Sequence, residues 1–468
     1  MRRQLADFKR RRLEESKDQP VVLLTNGCRV KGLEPGQLRA VQRELTFQPP
    51  VVFDTGGPSP PPVLAYRIEE AGSIIVPRCY GVSHFGATCE QLSNGEPLGA
   101  DAASFGGNLL PRQVPAFTAS IAALSSPPHA GILVLPCGFG KTVVSIAVAA
   151  RMGRRTMVVV HKEFLLEQWR ERLRHFLPGA TIGVVQGPRC EIDRDFIIAM
   201  VQSLASRDYG DRTFSCVGTV IIDESHHMAA RLFSEIFFRL SARHVLGLTA
   251  TPKRKDGCTS VLHLHMGAFA HQEEDVINHA TVLRVLYVSP WLSRKDEDLT
   301  PPEAQRLKTR LTRDANRNRL IMDWIVRSTD GGRRVLVLSD RVAHLEDLLS
   351  SFSSLRAHVS CSLYVGGMKR AAREDASKCT ALFGTFSMAQ EGLDIPELDT
   401  LILATPASDV TQAVGRILRS LPDKASPLVI DIQDDCCRNF TRLNEVRASL
   451  YKRRGFEARA PGEKDPPP

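Results

Sequence analysis

The chain has 468 residues, enough for about three domains, and its 43% apolar content with a mean hydropathy of −0.14 fits a globular protein with sizeable buried cores. It carries 61 Lys and Arg against 52 Asp and Glu, a net charge of +9 that suits a phosphate-backbone partner and serves equally well for solubility. No apolar stretch approaches the ~20 residues that span a bilayer, and the eleven cysteines show neither a C-x-x-C pair nor regular spacing, so the expectation is an intracellular chain with reduced thiols and no membrane partner.

The first segment, MRRQLADFKRRRLEESKDQP, is basic but lacks the apolar run of a secretory signal. Its FKRRR reads as a nuclear-import or nucleic-acid patch, or as a solvated helix face. VVLLTNGCRVKGL and SIIVPRCYG come next as short strand-like runs, separated by the proline stretch PPVVFDTGGPSPPPV, a loop or spacer. Residues 1–104 thus read as a small α+β accessory domain, serving either in nucleic-acid recognition or as a structural cap on the neighbouring domain.

GILVLP at 131–136 is a short apolar run with β-branched residues, a buried strand that ends at Pro136. Cys137, Gly138, Phe139 and Gly140 form a turn, and VVSIAVAARM reads as a buried helix beginning near Lys141. Strand, glycine turn and helix start are what a nucleoside triphosphate requires: backbone N–H groups point inward at the phosphates and the helix N-terminus adds its dipole. Lys141 reaches the β- and γ-phosphates and Thr142 places its hydroxyl on Mg²⁺. The first glycine of G-x-x-x-x-G-K-[ST] is Leu135 here, but the tighter P-x-G-x-G-K-T form survives.

TVIIDE at 219–224 is a hydrophobic strand ending in two acids, with Asp223 lying 82 residues after Lys141 (223 − 141). A strand-terminal Asp223 holds Mg²⁺ against the phosphates, and Glu224 orients or deprotonates the attacking water. Both belong at the carboxyl end of a strand beside the phosphate loop, where open α/β sheets bind ligands. Alone, DESHH reads as a solvated acidic turn or a carboxylate–histidine metal cluster; adjacent His226 and His227 do not both face one ion on a regular element. GLTATP at 247–252 and QAVGRILR at 412–419 complete an ordered series.

In that order, LPCGFGKT, DESHH, TAT and Q-x-x-G-R-x-x-R resemble the motifs of the superfamily two helicases, in the DExH group. The phosphate loop, the TAT and the GLD at 392–394 are most similar to the XPB-like helicases and their relatives in phages and large DNA viruses. The resemblance covers roughly 105–435; before position 100 it is weaker, with IIVPRCYG similar to an N-terminal element of the viral and phage relatives.

The resemblance implies two tandem RecA-like parallel-sheet lobes, 105–285 and 286–457, behind the accessory domain, with a disordered tail at 458–468. It implies that Gln113 contacts the nucleotide or its loop. VVVHKEFLLEQW (158–169), with its strand ending near His161 and a helix carrying Gln168 and Trp169, and VQSL (201–204) touch the nucleic-acid backbone in the family. This chain has His161 and Lys162 where the family often has Pro-Thr. Thr249, Ala250 and Thr251 match the segment linking hydrolysis to strand binding, and VLVLSDR (335–341) resembles motif IV. Gly392 and Asp394 match motif V, and Gln412, Gly415, Arg416 and Arg419 match motif VI. Arginines at i, i+3 share a helix face, and planar guanidinium groups stabilise charge on the transferring phosphoryl group. With the lysine loop in one lobe and the arginines in the other, nucleotide closes the lobes and hydrolysis reopens them.

The runs ILVLP, TMVVVH, FIIAM, TVIIDE and HVLGLTA alternate with helical patterns over 105–280, the signature of a parallel sheet with crossover helices. SRKDEDLTPPEAQR marks the lobe connection, and DANRNRLIMDWIVRS is helical. LVLSD, LFGTF, LILATP and LVIDI build the second sheet. NFTRLNEVRASLYKRR closes the chain as a basic helix that lies along nucleic acid or packs on the lobe. The expected function is ATP-dependent, Mg²⁺-assisted movement on nucleic acid, with DNA favoured and transcription, repair or replication proteins as partners, in nucleus or cytoplasm, or in the host cell or virion if the chain is viral. An RNA helicase or transcript-release motor is the alternative. A phosphate-loop kinase or GTPase leaves DESHH, TAT and motif VI without roles. A non-hydrolysing clamp is disfavoured because Lys141, Thr142, Asp223, Glu224, Arg416 and Arg419 are all present.

Overall fold

The computed structural model describes residues 21–25, 27–48, 61–69, 73–86, 89–136, 138–210, 212–225, 230–250, 258–273, 280–289, 297–391, 393, 395–419, 421 and 423–462. Outside them lie the basic segment 1–20, most of the proline stretch, Cys137, His226, His227, Thr251, part of the lobe connection, Gly392, Asp394 and residues 463–468. The chain forms two compact units, 1–274 and 275–468.

The first unit opens with β1 (Val21–Thr25), β2 (Gly27–Lys31), β3 (Thr46–Phe47), β4 (Val63–Leu64), β5 (Arg67–Ile68), β6 (Ile74–Val76) and β7 (Cys89–Glu90). Five of them form a mixed sheet in the order β5-β6-β2-β1-β7, accompanied by the helices Pro35–Glu44 and Arg78–Phe85. This α+β piece is fastened to the sheet behind it. The guanidinium of Arg78, 5% exposed, donates to the backbone oxygens of Ala242 (2.7 Å) and Arg243 (2.8 Å). Backbone bridges at Ser93–Ala242 and Pro97–Arg154 continue the attachment. IIVPRCYG thus packs against the lobe through Arg78.

The large sheet of this unit contains β8 (Ala130–Val134), β9 (Thr156–Val160), β10 (Ile182–Gln186), β11 (Arg189–Cys190), β12 (Phe196–Met200), β13 (Thr219–Ile222), β14 (His244–Thr249) and β15 (Phe269–Gln272), in the order β11-β10-β12-β9-β13-β14-β8-β15. All pairs are parallel except β10 with β11. Crossover helices cover both faces, so the strands read as continuous apolar runs rather than alternating ones. On β9 the two-residue period is visible in the packing: Met157 and Val159 enter one core, Val158 and Val160 the other.

The second unit repeats the plan with β16 (Thr281–Tyr287), β17 (Val335–Ser339), β18 (Cys361–Tyr364), β19 (Ala381–Thr385), β20 (Thr400–Leu403), β21 (Leu428–Asp434) and β22 (Glu457–Arg459), all parallel, in the order β18-β19-β17-β20-β21-β16-β22. Its cores lie on the two faces of this sheet. The helix Ala315–Asp330 starts where Asp314 accepts the N–H groups of Asn316 and Arg317. Buried Arg317 grips both oxygens of Asp434 and the carbonyl of Ala404, and buried Arg447 on the closing helix Arg438–Arg453 pairs with Asp431. The closing helix therefore packs on its lobe.

Two expected boundaries differ from the structure. A division at 285 cuts β16, whose seven residues all pair with β21 of the second sheet. The tail expected to be disordered from 458 begins inside β22, where Glu457, Ala458 and Arg459 pair with Thr281, Val282 and Leu283. A three-residue edge strand carries too little apolar pattern to be read from sequence.

Candidate nucleotide site

β8 runs fully buried to Val134, and the helix Lys141–Met152 begins six residues after Leu135. Between them Gly138 (φ +80°) and Gly140 (φ +95°) adopt left-handed backbone, which side chains rarely tolerate, and the Phe139 N–H donates to the Pro136 oxygen at 3.2 Å. Gly140 has a second constraint: a Cβ there meets Gln113 Nε2 at 2.4 Å. Buried Gln113 accepts from the Leu110 N–H at 2.9 Å and donates to the Phe139 oxygen at 2.8 Å, so it braces the phosphate loop directly. Arg112 stands 5.3 Å over the buried Phe139 ring. Thr142 lies in the first turn of the helix, and its carbonyl accepts the Ser145 hydroxyl.

Asp223 and Glu224 come directly after the last residue of β13, two strands from β8, with β14 between. Strand spacing of ~4.8 Å brings the acids within reach of the loop. Lys141 Nζ lies 3.7 Å from Glu224 Oε1 and 3.4 Å from the Leu135 oxygen. Asp223 is buried; its Oδ2 accepts the indole N–H of Trp169 at 2.7 Å and its Oδ1 the Glu224 N–H at 2.9 Å. Burial, and then the adjacent Glu224 carboxylate, push its carboxyl up to about 6, against the opposing pull of Trp169 and Lys141. Glu224 sits at φ +46°, left-handed backbone for a residue with a side chain.

β14 joins the two halves of this site. The Leu135 N–H donates to the Thr249 oxygen at 3.0 Å, and the Ser225 hydroxyl donates to the Leu248 oxygen at 3.3 Å. The end of this strand is thus hydrogen-bonded to both the residue before the phosphate loop and the acidic turn. Along the same carboxyl edge, Gln202 Nε2 donates to the His161 oxygen at 2.9 Å, tying the two segments that the resemblance assigns to the nucleic-acid backbone.

In the second unit, Gln412, Gly415 and Arg416 lie on the helix Thr411–Ile417. Gln412 is buried and its Oε1 has no hydrogen-bond partner among the described residues. Arg416 Nε donates to the Ala389 oxygen at 2.8 Å. Arg419 lies past the helix end, so the two arginines do not share a helix face as their spacing predicts. Beyond the helix, the Lys424 ammonium donates to the oxygens of Ile417, Arg419 and Pro396 at 2.8–2.9 Å and satisfies carbonyls left free at its end.

Oxygen donors and no sulfur suit Mg²⁺, which is held by one or two carboxylates, a hydroxyl, waters and substrate phosphates rather than by a protein cage. Asp223 and Thr142 fit that description, and no cluster of three His, Cys, Asp or Glu able to hold a metal occurs among the described residues. Sequence reasoning missed the Trp169–Asp223 bond and left Gln113 between nucleotide and loop. Trp169 is visible in the sequence only as an aromatic on a helix; a buried indole N–H needs an acceptor, but which one depends on the strand order.

Comparison with known proteins gives the same outline. The family model of the type III restriction enzyme res subunit matches residues 107–254, and that of the helicase conserved C-terminal domain matches 316–421. The chain is 32% identical over 399 residues to the putative ATP-dependent RNA helicase of Acanthamoeba polyphaga mimivirus, covering 83% of this chain and 76% of that protein. It is 24% identical over 343 residues to the probable helicase of Escherichia phage T5, covering 68% and 71%. With a putative ATP-dependent RNA helicase of African swine fever virus it shares 23% over 366 residues, covering 71% and 70%. Among solved structures, the DNA-bound ATP-dependent type ISP restriction-modification enzyme LlaBIII aligns with a TM-score of 0.53 at 16% identity, over 77% of this chain and 32% of that one; this likeness concerns the fold.

Proposed function

The chain belongs to the superfamily two helicases and is similar to those of phages and large DNA viruses; from that premise we propose how its residues divide the work. It is an ATP-hydrolysing helicase or translocase that binds nucleic acid. The observation that carries the assignment is the meeting of Lys141, Asp223 and Glu224 at the carboxyl edge of one sheet, bridged by the end of β14.

In this reading the backbone of Pro136, Cys137, Gly138, Phe139 and Gly140 cradles the phosphates, with Gln113 holding the loop in shape. Lys141 neutralises the β- and γ-phosphates. Mg²⁺, held by Thr142 and Asp223, neutralises charge on the phosphate oxygens when bound. Glu224 takes the proton of the attacking water or aligns it, with the Lys141 ammonium 3.7 Å from its carboxylate. Arg416 and Arg419 stabilise the charge of the transferring phosphoryl group, and Gln412, Gly392 and Asp394 complete the nucleotide contacts. The proposed domain plan is an accessory domain over 1–104 and two motor lobes. The proposed track is DNA, in transcription, repair or replication within nucleus or cytoplasm. RNA is the second reading, favoured because the mimivirus and African swine fever virus relatives are described as RNA helicases.

Steady-state ATP hydrolysis with single-stranded DNA, duplex DNA or single-stranded RNA, beside Glu224→Gln, tests this. Stimulation by DNA that Glu224→Gln abolishes is the expected result. Stimulation by RNA alone moves the track to RNA, and hydrolysis indifferent to all three refutes the motor.

A further inference from the structure

Trp169 is the largest fully buried side chain among the described residues, 1% exposed. It sits on the helix Glu163–Phe176 among Leu165, Leu166 and Leu173, in the core between that helix and the sheet. In such surroundings a hydrocarbon side chain of similar volume packs as well; what sets the indole apart is one N–H. That N–H points at Asp223 Oδ2 with a separation of 2.7 Å. The other carboxylate oxygen is held by the Glu224 N–H, which belongs to a residue kept at φ +46°.

Each oxygen of Asp223 therefore has one directional donor from the protein. A carboxylate on a strand end has a broad, two-fold terminal torsion. The main-chain bond alone lets the group rotate about the line to that donor. The second bond, from a side chain packed in the core and 1% exposed, opposes this rotation. It leaves one lone pair on each oxygen oriented by the fold, in a low-dielectric interior where such bonds are strong. A cation that demands near-ideal octahedral geometry gains from this, because ligand placement within a few tenths of an ångström decides its affinity.

We propose that Trp169 is a positioning residue for the metal-holding carboxylate, its indole N–H setting the orientation in which Asp223 meets Mg²⁺. The inference rests on the proposed role of Asp223 as a Mg²⁺ ligand. Its chemistry is specific: the donor matters, and the aromatic volume does not.

The test uses the full chain with Trp169→Phe and with Trp169 replaced by benzothienylalanine, which keeps the two-ring shape and has sulfur in place of N–H. Binding of a fluorescent, non-hydrolysable ATP analogue is titrated with Mg²⁺, and repeated in EDTA. Both variants are expected to need about tenfold more Mg²⁺ for half-maximal binding, with metal-free affinity within twofold of the parent. An isostere with the parent's Mg²⁺ requirement overturns the proposal, as does an equal loss with and without metal. If Trp169→Phe folds poorly, the isostere alone decides. Asp223→Asn separates this inference from its premise: a parental Mg²⁺ requirement in Asp223→Asn removes the metal assignment itself, whereas loss there beside a parental isostere removes only the role of Trp169.

Discussion

Glu224 occupies left-handed backbone at a cost of roughly 1–3 kcal/mol, and its neighbours explain why the fold keeps it there. With that turn its N–H reaches Asp223 while its carboxylate reaches Lys141. The site residues thus constrain one another, and substitutions separate by role. Lys141→Ala should abolish ATP hydrolysis while the far-ultraviolet dichroism stays that of the parent; unchanged turnover would remove the phosphate-loop assignment. Arg416→Ala should lower kcat by roughly 10³ with less than tenfold change in nucleotide affinity, because a charge aimed at the transition state contributes little to ground-state binding. Comparing single-turnover rates with equilibrium titration checks it, and a loss confined to affinity contradicts the role.

Among the elements, the accessory sheet shows how a small domain is held. Arg78 places one planar fork on two successive backbone oxygens, Ala242 and Arg243, in the buried seam behind β6. Arg78→Ala strands both acceptors and should destabilise the first unit by roughly 2–3 kcal/mol. Arg78→Lys should recover less than half, since an ammonium does not reproduce the fork. Urea unfolding of both variants measures this, and equal stability of parent and Arg78→Ala would mean the seam is held elsewhere. The motif VI helix makes a related point: its sequence spacing predicts a longer helix than forms, and Lys424 satisfies carbonyls at the end where it stops.

For the whole molecule, pH acts through buried imidazoles. Burial, then the neighbouring positive charges or, for His244, His129, hold His265 and His344 down to about 3 and His244 to about 4, below their ordinary 6.5. A lowered folded value means that the unfolded chain takes up protons first as pH falls. Their contribution is present above pH 6.5 and is lost between 6.5 and about 3–4. Asp223, raised to about 6 from 3.8, works the other way: it favours the folded state below 3.8, and that gain is lost as pH rises to 6. Three imidazoles outweigh one carboxyl, so the urea midpoint should fall between pH 7.5 and pH 5. A midpoint that rises over this interval would contradict these protonation states.

The motif residues, the strand–turn–helix of the phosphate loop, the parallel sheets and the family are legible along the chain because each is a local pattern: an apolar run, a glycine beside a lysine, two acids at a strand end. Partnership across sequence distance is not. Trp169 and Asp223 are 54 residues apart and Gln113 and Phe139 are 26 apart; each pair meets only because the strand order sets β9, β13, β14 and β8 side by side. Likewise the three residues of β22 become a strand only through the edge of β16. Periodicity records which face of an element is buried, and tertiary structure alone decides what that face is buried against.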